Sequence, residues 1–138
     1  MSSRILKAKK MRLYAKGSIN DQSGFTLLVD SGLALRAGIM LAEETMNSLG
    51  IPMPELEAAA EGYGGMGGSD FEFGYFDLAS YGLGNLQLKN GIGVFMTDTI
   101  LYYDEFFGFF EDGLISHNYL KDYKWTIDFD SMEMIFSQ

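Results

Sequence analysis

The stretch Phe25-Thr26-Leu27-Leu28-Val29-Asp30-Ser31-Gly32 decides how this chain is interpreted. Its first five residues are almost continuously apolar and favour β-structure, which predicts a short buried strand. The apolar run stops abruptly at an acid, a hydroxyl residue and a glycine. Because residues 21–24 have turn composition and residues 9–20 alternate loosely, we predict a β-hairpin that leads directly into this tripeptide.

The tripeptide Asp30-Ser31-Gly32 carries residue types that suit acid–base chemistry. Two carboxylates a few ångströms apart cannot both ionise, so such a pair holds one shared proton. One carboxylate can then activate a water while the other donates to a carbonyl oxygen. The Ser31 hydroxyl can fix the loop through a backbone hydrogen bond, and Gly32 allows two backbones to approach closely. The same tripeptide also occurs as an ordinary turn.

The rest of the chain consists mostly of short strands. The predicted elements after the hairpin are a helix at 42–49 that ends at Gly50, a short helix or irregular connection at 55–61 and a glycine-rich run at 62–68. They continue with a strand around 71–75, two strands within 77–88 separated by a turn at 82–85, and an Asn90-Gly91 turn before a strand at 92–96. The last are a strand at 113–115, a helical turn at 118–121 and a closing hairpin at 125–136. The sum is an all-β class with one or two short helices. We expect eight or nine strands in a closed or partly closed barrel of one lobe.

Length and charge give the domain organisation. The 138 residues fit one domain, which we place at 11–138, and residues 1–10 are interpreted as a basic N-terminal tail or linker. The first sixteen residues hold six basic side chains and no acid. This basic N-terminal segment could therefore instead be a strand that pairs with an acidic surface. The net charge is −9, and an acidic body repels phosphate, which argues against nucleic-acid binding.

Several kinds of site are excluded by composition. There is no cysteine, and His117 is the only histidine, so we expect no metal centre and no cofactor. The acidic pairs Asp104-Glu105 and Glu111-Asp112 lack the spacing of a calcium loop and are interpreted as solvated loop residues. No apolar run is long enough to span a membrane and no signal peptide is visible. The compartment stays open, including the periplasm or secretion if the chain is cut from a longer precursor.

The order of these parts resembles the retropepsin-like aspartic proteases, half-size relatives of pepsin, in their bacterial form. The stretches that carry the resemblance are Leu28–Gly32, the helix Leu41–Gly50, the glycine run Gly62–Gly68, the hairpin Tyr81–Asn90, and the tail Asp112–Phe129. Together they extend over nearly the whole chain from Met11 to Phe136. The tail and the Asp-Ser-Gly tripeptide are the more specific of these matches.

The resemblance implies an aspartic endopeptidase that acts on a peptide or protein substrate. The residues it singles out are the catalytic group Asp30, Ser31 and Gly32, the flap residues Gly64, Gly65, Met66 and Gly67, and the second hydrophobic motif Leu114, Ile115 and Ser116. Since one chain supplies one Asp-Ser-Gly, the second carboxylate must come from elsewhere. It would come from a second copy in a homodimer, or from an N-terminal lobe of a longer protein.

Three departures from the family pattern keep other functions open. Leu33 stands where a small residue is usual, Ala34 and Leu35 replace a polar position, and Ser116 replaces a glycine. These changes favour, as an alternative, a catalytically silent domain of the same fold used for dimerisation or peptide binding. The β content and aromatic residues also allow a lipocalin-like barrel for a small ligand.

Overall fold

The computed structural model of the chain describes residues 2–9, 12–31, 36–58, 71–97 and 111–137. The strands are β1 (Ser2–Lys9), β2 (Arg12–Ile19), β3 (Gln22–Val29), β4 (Ile39–Leu41), β5 (Glu57–Ala58), β6 (Glu72–Leu83), β7 (Leu86–Met96), β8 (Gly113–Ile115), β9 (Lys124–Asp128) and β10 (Glu133–Ser137). The helices are α1 (Glu43–Leu49) and α2 (His117–Leu120). None of the helices in these ranges is long and apolar enough to cross a membrane.

The strands form one mixed sheet that closes on itself. The order is β5-β6-β7-β4-β8-β3-β2-β1-β10-β9, and a further pairing between β2 and β6 turns six strands into a ring. The predicted mainly-β barrel of one lobe is confirmed. Because β3 pairs in parallel with β8 and β4 in parallel with β7, the ring is not the up-and-down barrel of a lipocalin, so the topology of that alternative is wrong.

The inside of the ring is filled by one hydrophobic cluster. Alternate residues of the ring strands point into it, as the period of two requires. Its fully buried members include Ala15, Ile19, Leu27, Ile39, Leu83 and Ile115. The barrel interior is therefore a packed core, and it holds β3, β4 and β8 in fixed positions.

Two glycines on different segments make room for the ring of Tyr81. A Cβ atom on Gly38 would lie 1.8 Å from the Tyr81 hydroxyl oxygen, and one on Gly91 would lie 2.2 Å from a Tyr81 ring carbon. This explains why the turn predicted at Asn90-Gly91 is wrong. Those residues lie inside β7, with Gly91 opposite Leu78 in the register, since Gly91 is needed there for packing rather than for a reversal of the chain.

The two-residue turn between β2 and β3 lies earlier than predicted. Asn20 and Asp21 both have left-handed backbone angles, with φ of 49° and 64°, as a tight hairpin turn of the mirror-image type requires. Gly24, with φ of 93°, lies inside β3 at a shift in register. The Asn20 Oδ1 atom also accepts hydrogen bonds from the backbone N–H groups of Ala79 and Ser80, so the turn is tied to β6.

The basic N-terminal segment forms strand β1 in the structure, rather than a free tail. Ser2, Ser3 and Arg4 pair with β10, and residues from Ile5 to Lys9 pair with β2. Of the two interpretations of this segment, the strand is the one observed at 2–9. The domain boundary between residues 10 and 11 stays a prediction.

The hydroxyl of Tyr119 closes the end of the β6–β7 hairpin. It accepts a hydrogen bond from the Leu83 backbone N–H at 3.0 Å and donates one to the Leu86 carbonyl at 2.7 Å. Tyr119 is fully buried, and burial raises its pKa far above the ordinary value of 10.0. Burial likewise raises the pKa of Tyr81 to about 12.

The raised pKa values of Tyr81 and Tyr119 predict that the protein loses stability at alkaline pH. The unfolded chain releases the tyrosine protons near pH 10, whereas the folded chain keeps them, so stability is full below pH 10 and falls as the pH rises towards 12. Tyr119→Phe should cost about 2 kcal/mol at pH 7, because two buried backbone groups lose their partner. It should then lose less additional stability between pH 10 and 12. Urea unfolding at pH 7, 10 and 11.5 measures both effects, and equal alkaline losses in the two proteins would contradict the assignment.

Candidate active site

Asp30 lies at the point where β3 ends beside a parallel neighbour. Its backbone N–H donates to the Ile115 carbonyl at 2.9 Å, one step beyond the paired residues Val29 and Ile115. Asp30 is half-buried and Ser31 is exposed, while Gly32 lies outside the described residues. The structure therefore brings the predicted acid to the end of the predicted second hydrophobic motif, although the two are 85 positions apart in the sequence.

Strand β8 lies between β3 and β4 and connects the two sides of the site. It runs parallel to β3 and antiparallel to β4, so Ile115 is opposite both Val29 and Ile39. Beyond the strand, the Ser116 N–H donates to the Gly38 carbonyl at 3.0 Å. The chain that leaves Asp30-Ser31 thus returns two strands away, at residues 36–38.

Ser116 makes a defined contact at the position where the family pattern has glycine. Its Oγ atom donates to the Ala37 carbonyl at 2.6 Å, and the whole residue is buried. Helix α2 adds a second contact to the same segment, because Asn118 Nδ2 donates to the Arg36 carbonyl at 2.6 Å. The Ser116 side chain therefore hydrogen-bonds the end of β8 to the segment that follows the candidate catalytic loop.

A second apolar cluster covers the outer face of the same strands. Leu27 belongs to the barrel interior and Leu28 to this outer cluster, as the alternation of side chains along β3 requires. The outer cluster contains Tyr14, Leu28, Ala37, Met40, Ala42, Phe71, Val94, Met96 and Leu114. Leu114, predicted as part of the second motif, is fully buried there.

The acidic pair Glu111-Asp112 is structural, so its interpretation as solvated loop is wrong. Glu111 is only 1% exposed, and its Oε1 atom accepts a hydrogen bond from the Tyr14 hydroxyl at 2.8 Å. Asp112 Oδ2 accepts from the Thr26 backbone N–H at 2.7 Å. The Asp112 carbonyl accepts from the Thr45 hydroxyl, also at 2.7 Å. Asp112 therefore fixes the start of β8 to both β3 and α1.

The predicted flap residues belong to the segment between β5 and β6. Residues 57–58 pair with residues 72–73 in antiparallel fashion, so the glycine-rich run connects two neighbouring strands. Gly64, Gly65, Met66 and Gly67 lie outside the described residues, as do Leu33, Ala34, Leu35 and the pair Asp104-Glu105. Their roles stay predictions.

His117 is exposed at the first position of α2. No group of three or more histidine, aspartate or glutamate side chains in the described part of the chain is arranged to hold a metal ion.

Comparison with solved structures identifies the fold. No protein-family model and no curated protein sequence matches the chain. A retropepsin-like aspartic protease from Rickettsia conorii superposes with a TM-score of 0.63 at 18% identity, covering 99% of this chain and 88% of that chain. The retroviral protease-like domain of Ddi1 from Leishmania major superposes with a TM-score of 0.53 at 19% identity, covering 94% and 97%. The chain has a retropepsin-like fold, as its sequence predicted.

Proposed function

We propose that this domain is an aspartic-type peptidase whose active site forms when Asp30 meets a second aspartate, supplied by another copy or by another lobe. The observation that carries the proposal is the position of Asp30, half-buried at the end of β3 with its backbone bonded to the end of β8. A rigid pair of parallel strands can hold a carboxylate near a two-fold axis. The likeness to a retropepsin-like protease over nearly the whole chain supports the same function.

The reaction follows from a carboxylate pair that holds one proton. The ionised carboxylate takes a proton from a water, whose oxygen attacks the peptide carbonyl carbon, while the protonated carboxyl gives its proton to the carbonyl oxygen. The carboxyl that took the proton from water then gives it to the amide nitrogen, a hydroxyl of the tetrahedral intermediate returns its proton to the other carboxylate, and the C–N bond breaks. The products are a carboxylic acid and an amine. Cleavage should be fastest at acid pH, since the pair must keep its shared proton.

The source of the second carboxylate defines two versions of this proposal. In the first, two copies form an isologous dimer and each supplies Asp30. In the second, an N-terminal lobe of a longer protein supplies the partner acid. A peptide would lie across the pair in extended form, with Gly64–Gly67 acting as a lid over it.

A catalytically silent peptide-binding or dimerisation domain is the second candidate. The observation that favours it is the burial of Leu28 and Leu114, which lie on the outer face next to Asp30 and leave little apolar surface open to a substrate. A peptide carrying a hydroxyl in place of the scissile carbonyl mimics the tetrahedral intermediate. Calorimetric binding of this peptide that disappears in Asp30→Asn supports the peptidase. Binding that does not depend on Asp30 supports a silent peptide-binding domain, and absence of binding to a folded dimer supports a silent dimerisation domain.

A further inference from the structure

Arg36 has an unusual position in both sequence and structure. It is the only basic residue between positions 17 and 88, a stretch that contains ten acidic residues. It follows Asp30 by six positions, and its exposed guanidinium lies over the ring of Tyr75, with 5.4 Å from Cζ to the ring centroid. The two side chains border an open cleft of about 190 Å³ that is also lined by Phe76, Asp77 and Ile92.

The exposed guanidinium of Arg36 is the group in the cleft that can bind an anion. Within the described ranges no carboxylate lies at ion-pair distance from it, including Asp77 in the same cleft. A cation over an aromatic ring is attracted by the ring's negative face, so this contact restricts where the Arg36 side chain lies. A carboxylate that entered the cleft could accept two hydrogen bonds from the planar guanidinium.

The backbone of Arg36 is fixed relative to Asp30. Its carbonyl accepts from Asn118 Nδ2 at 2.6 Å, and two residues later Gly38 is bonded on both sides, to Ser116 and to Ile92. Asp30 and Gly38 are hydrogen-bonded to consecutive residues at the end of β8, so they lie about two strand spacings, or ~10 Å, apart. An extended peptide advances about 3.3 Å per residue, so about three residues bridge the ~10 Å between Asp30 and Gly38, and the cleft begins at Arg36 two residues before Gly38.

We propose that Arg36, positioned over the ring of Tyr75, is a specificity residue that selects substrates with an acidic side chain three or four positions from the cleaved bond. This inference rests on the proposed function for its reference point, the bond cut beside Asp30. The ligand of the cleft is the carboxylate of a glutamate or aspartate within an extended peptide. Arg36 does not act on the reacting atoms.

Asp77 offers a matched control within the same cleft. It is exposed and negatively charged, so it opposes the entry of an acidic side chain. Removing its charge in Asp77→Asn should strengthen the preference for acid, whereas removing the positive charge in Arg36→Gln should abolish it. Arg36→Lys should retain part of the preference, because the charge remains but the planar fork is lost.

The test uses decapeptides in which one glutamate, or its neutral isostere glutamine, is moved through every position of an otherwise apolar sequence. We expect kcat/KM to be about fivefold higher for glutamate at one position three or four residues from the cut, the size of an exposed ion pair. The ratio should fall to about one in Arg36→Gln, rise in Asp77→Asn, and shrink between 0.05 and 0.5 M salt. A ratio that stays unchanged in Arg36→Gln overturns the inference.

A binding measurement distinguishes failure of this inference from failure of the proposed function. Fluorescence anisotropy of the same labelled peptides on the Asp30→Asn protein reports recognition without cleavage. If no peptide is cut but the glutamate peptide binds more tightly and this depends on Arg36, the acidic subsite stands and the peptidase does not. If cleavage depends on Asp30 and neither assay distinguishes glutamate from glutamine, the subsite is overturned and the peptidase stands. If neither cleavage nor binding occurs, both are overturned.

Discussion

Replacing Asp30 with asparagine should lower kcat/KM for peptide cleavage by at least about a thousandfold, the scale of a lost general acid–base group. An amide cannot take a proton from water, and a pair that contains one amide cannot share a proton. The variant keeps the hydrogen bond from the residue 30 backbone N–H to the Ile115 carbonyl, so residue 30 should stay at the end of β3. Cleavage of a peptide library at acid pH, read by mass spectrometry, measures the loss.

The control for this substitution removes a carboxylate of the same size elsewhere. Asp122 is exposed and lies in the turn after α2, so Asp122→Asn should leave both cleavage and stability unchanged. Thermal melting of all three proteins should agree within a few degrees. If Asp30→Asn cleaves as fast as the parent, the assignment of Asp30 as the catalytic acid is wrong.

The second large effect is structural, and it concerns Gly38. The methyl group that Gly38→Ala adds would lie 1.8 Å from the Tyr81 hydroxyl oxygen and 2.8 Å from Tyr81 Cζ. Tyr81 is buried and its ring is also held against Gly91, so it has little room to move. We expect a loss of about 3 kcal/mol in the free energy of unfolding, at the upper end of the usual cost of overpacking. Urea denaturation measures it.

A second variant shows whether the clash with Tyr81 causes this loss. Tyr81→Phe removes the nearest oxygen, so Gly38→Ala should cost only about 1 kcal/mol in that background. The coupling of about 2 kcal/mol is the quantity that identifies the contact. Equal costs in both backgrounds would assign the loss to the backbone of residue 38 instead. Because Gly38 is bonded to Ser116 beside the site, cleavage should fall together with stability in the single variant.

The features that sequence reasoning predicted correctly depend on local patterns. The hairpin that ends at Asp30, the helix that ends at Gly50 and the closing hairpin each follow from the residues of one short segment. The left-handed conformation of Gly50, with φ of 70°, is an example, since a glycine after a helical run predicts such a helix end. These elements, in this order, were enough to indicate the fold.

The features that sequence reasoning missed depend on contacts between distant segments. Gly91 looks like a turn residue until the ring of Tyr81 is known to lie against it. Asp112 looks like a solvated acid, yet its partners Thr26 and Thr45 come from elements that precede it by more than 60 positions. For Arg36 the sequence did contain a signal, its isolation among acidic residues, but only the structure places it over Tyr75.

The most direct test of a catalytic pair built from two copies is a mixing experiment. Parent and Asp30→Asn proteins are combined at fixed total concentration, allowed to exchange subunits, and assayed for cleavage. If both carboxylates come from Asp30 of two copies, mixed dimers are inactive and the rate falls as the square of the parent fraction, to about a quarter in an equal mixture. A rate that falls in direct proportion to the parent fraction would mean that each copy works alone, and would contradict the shared site.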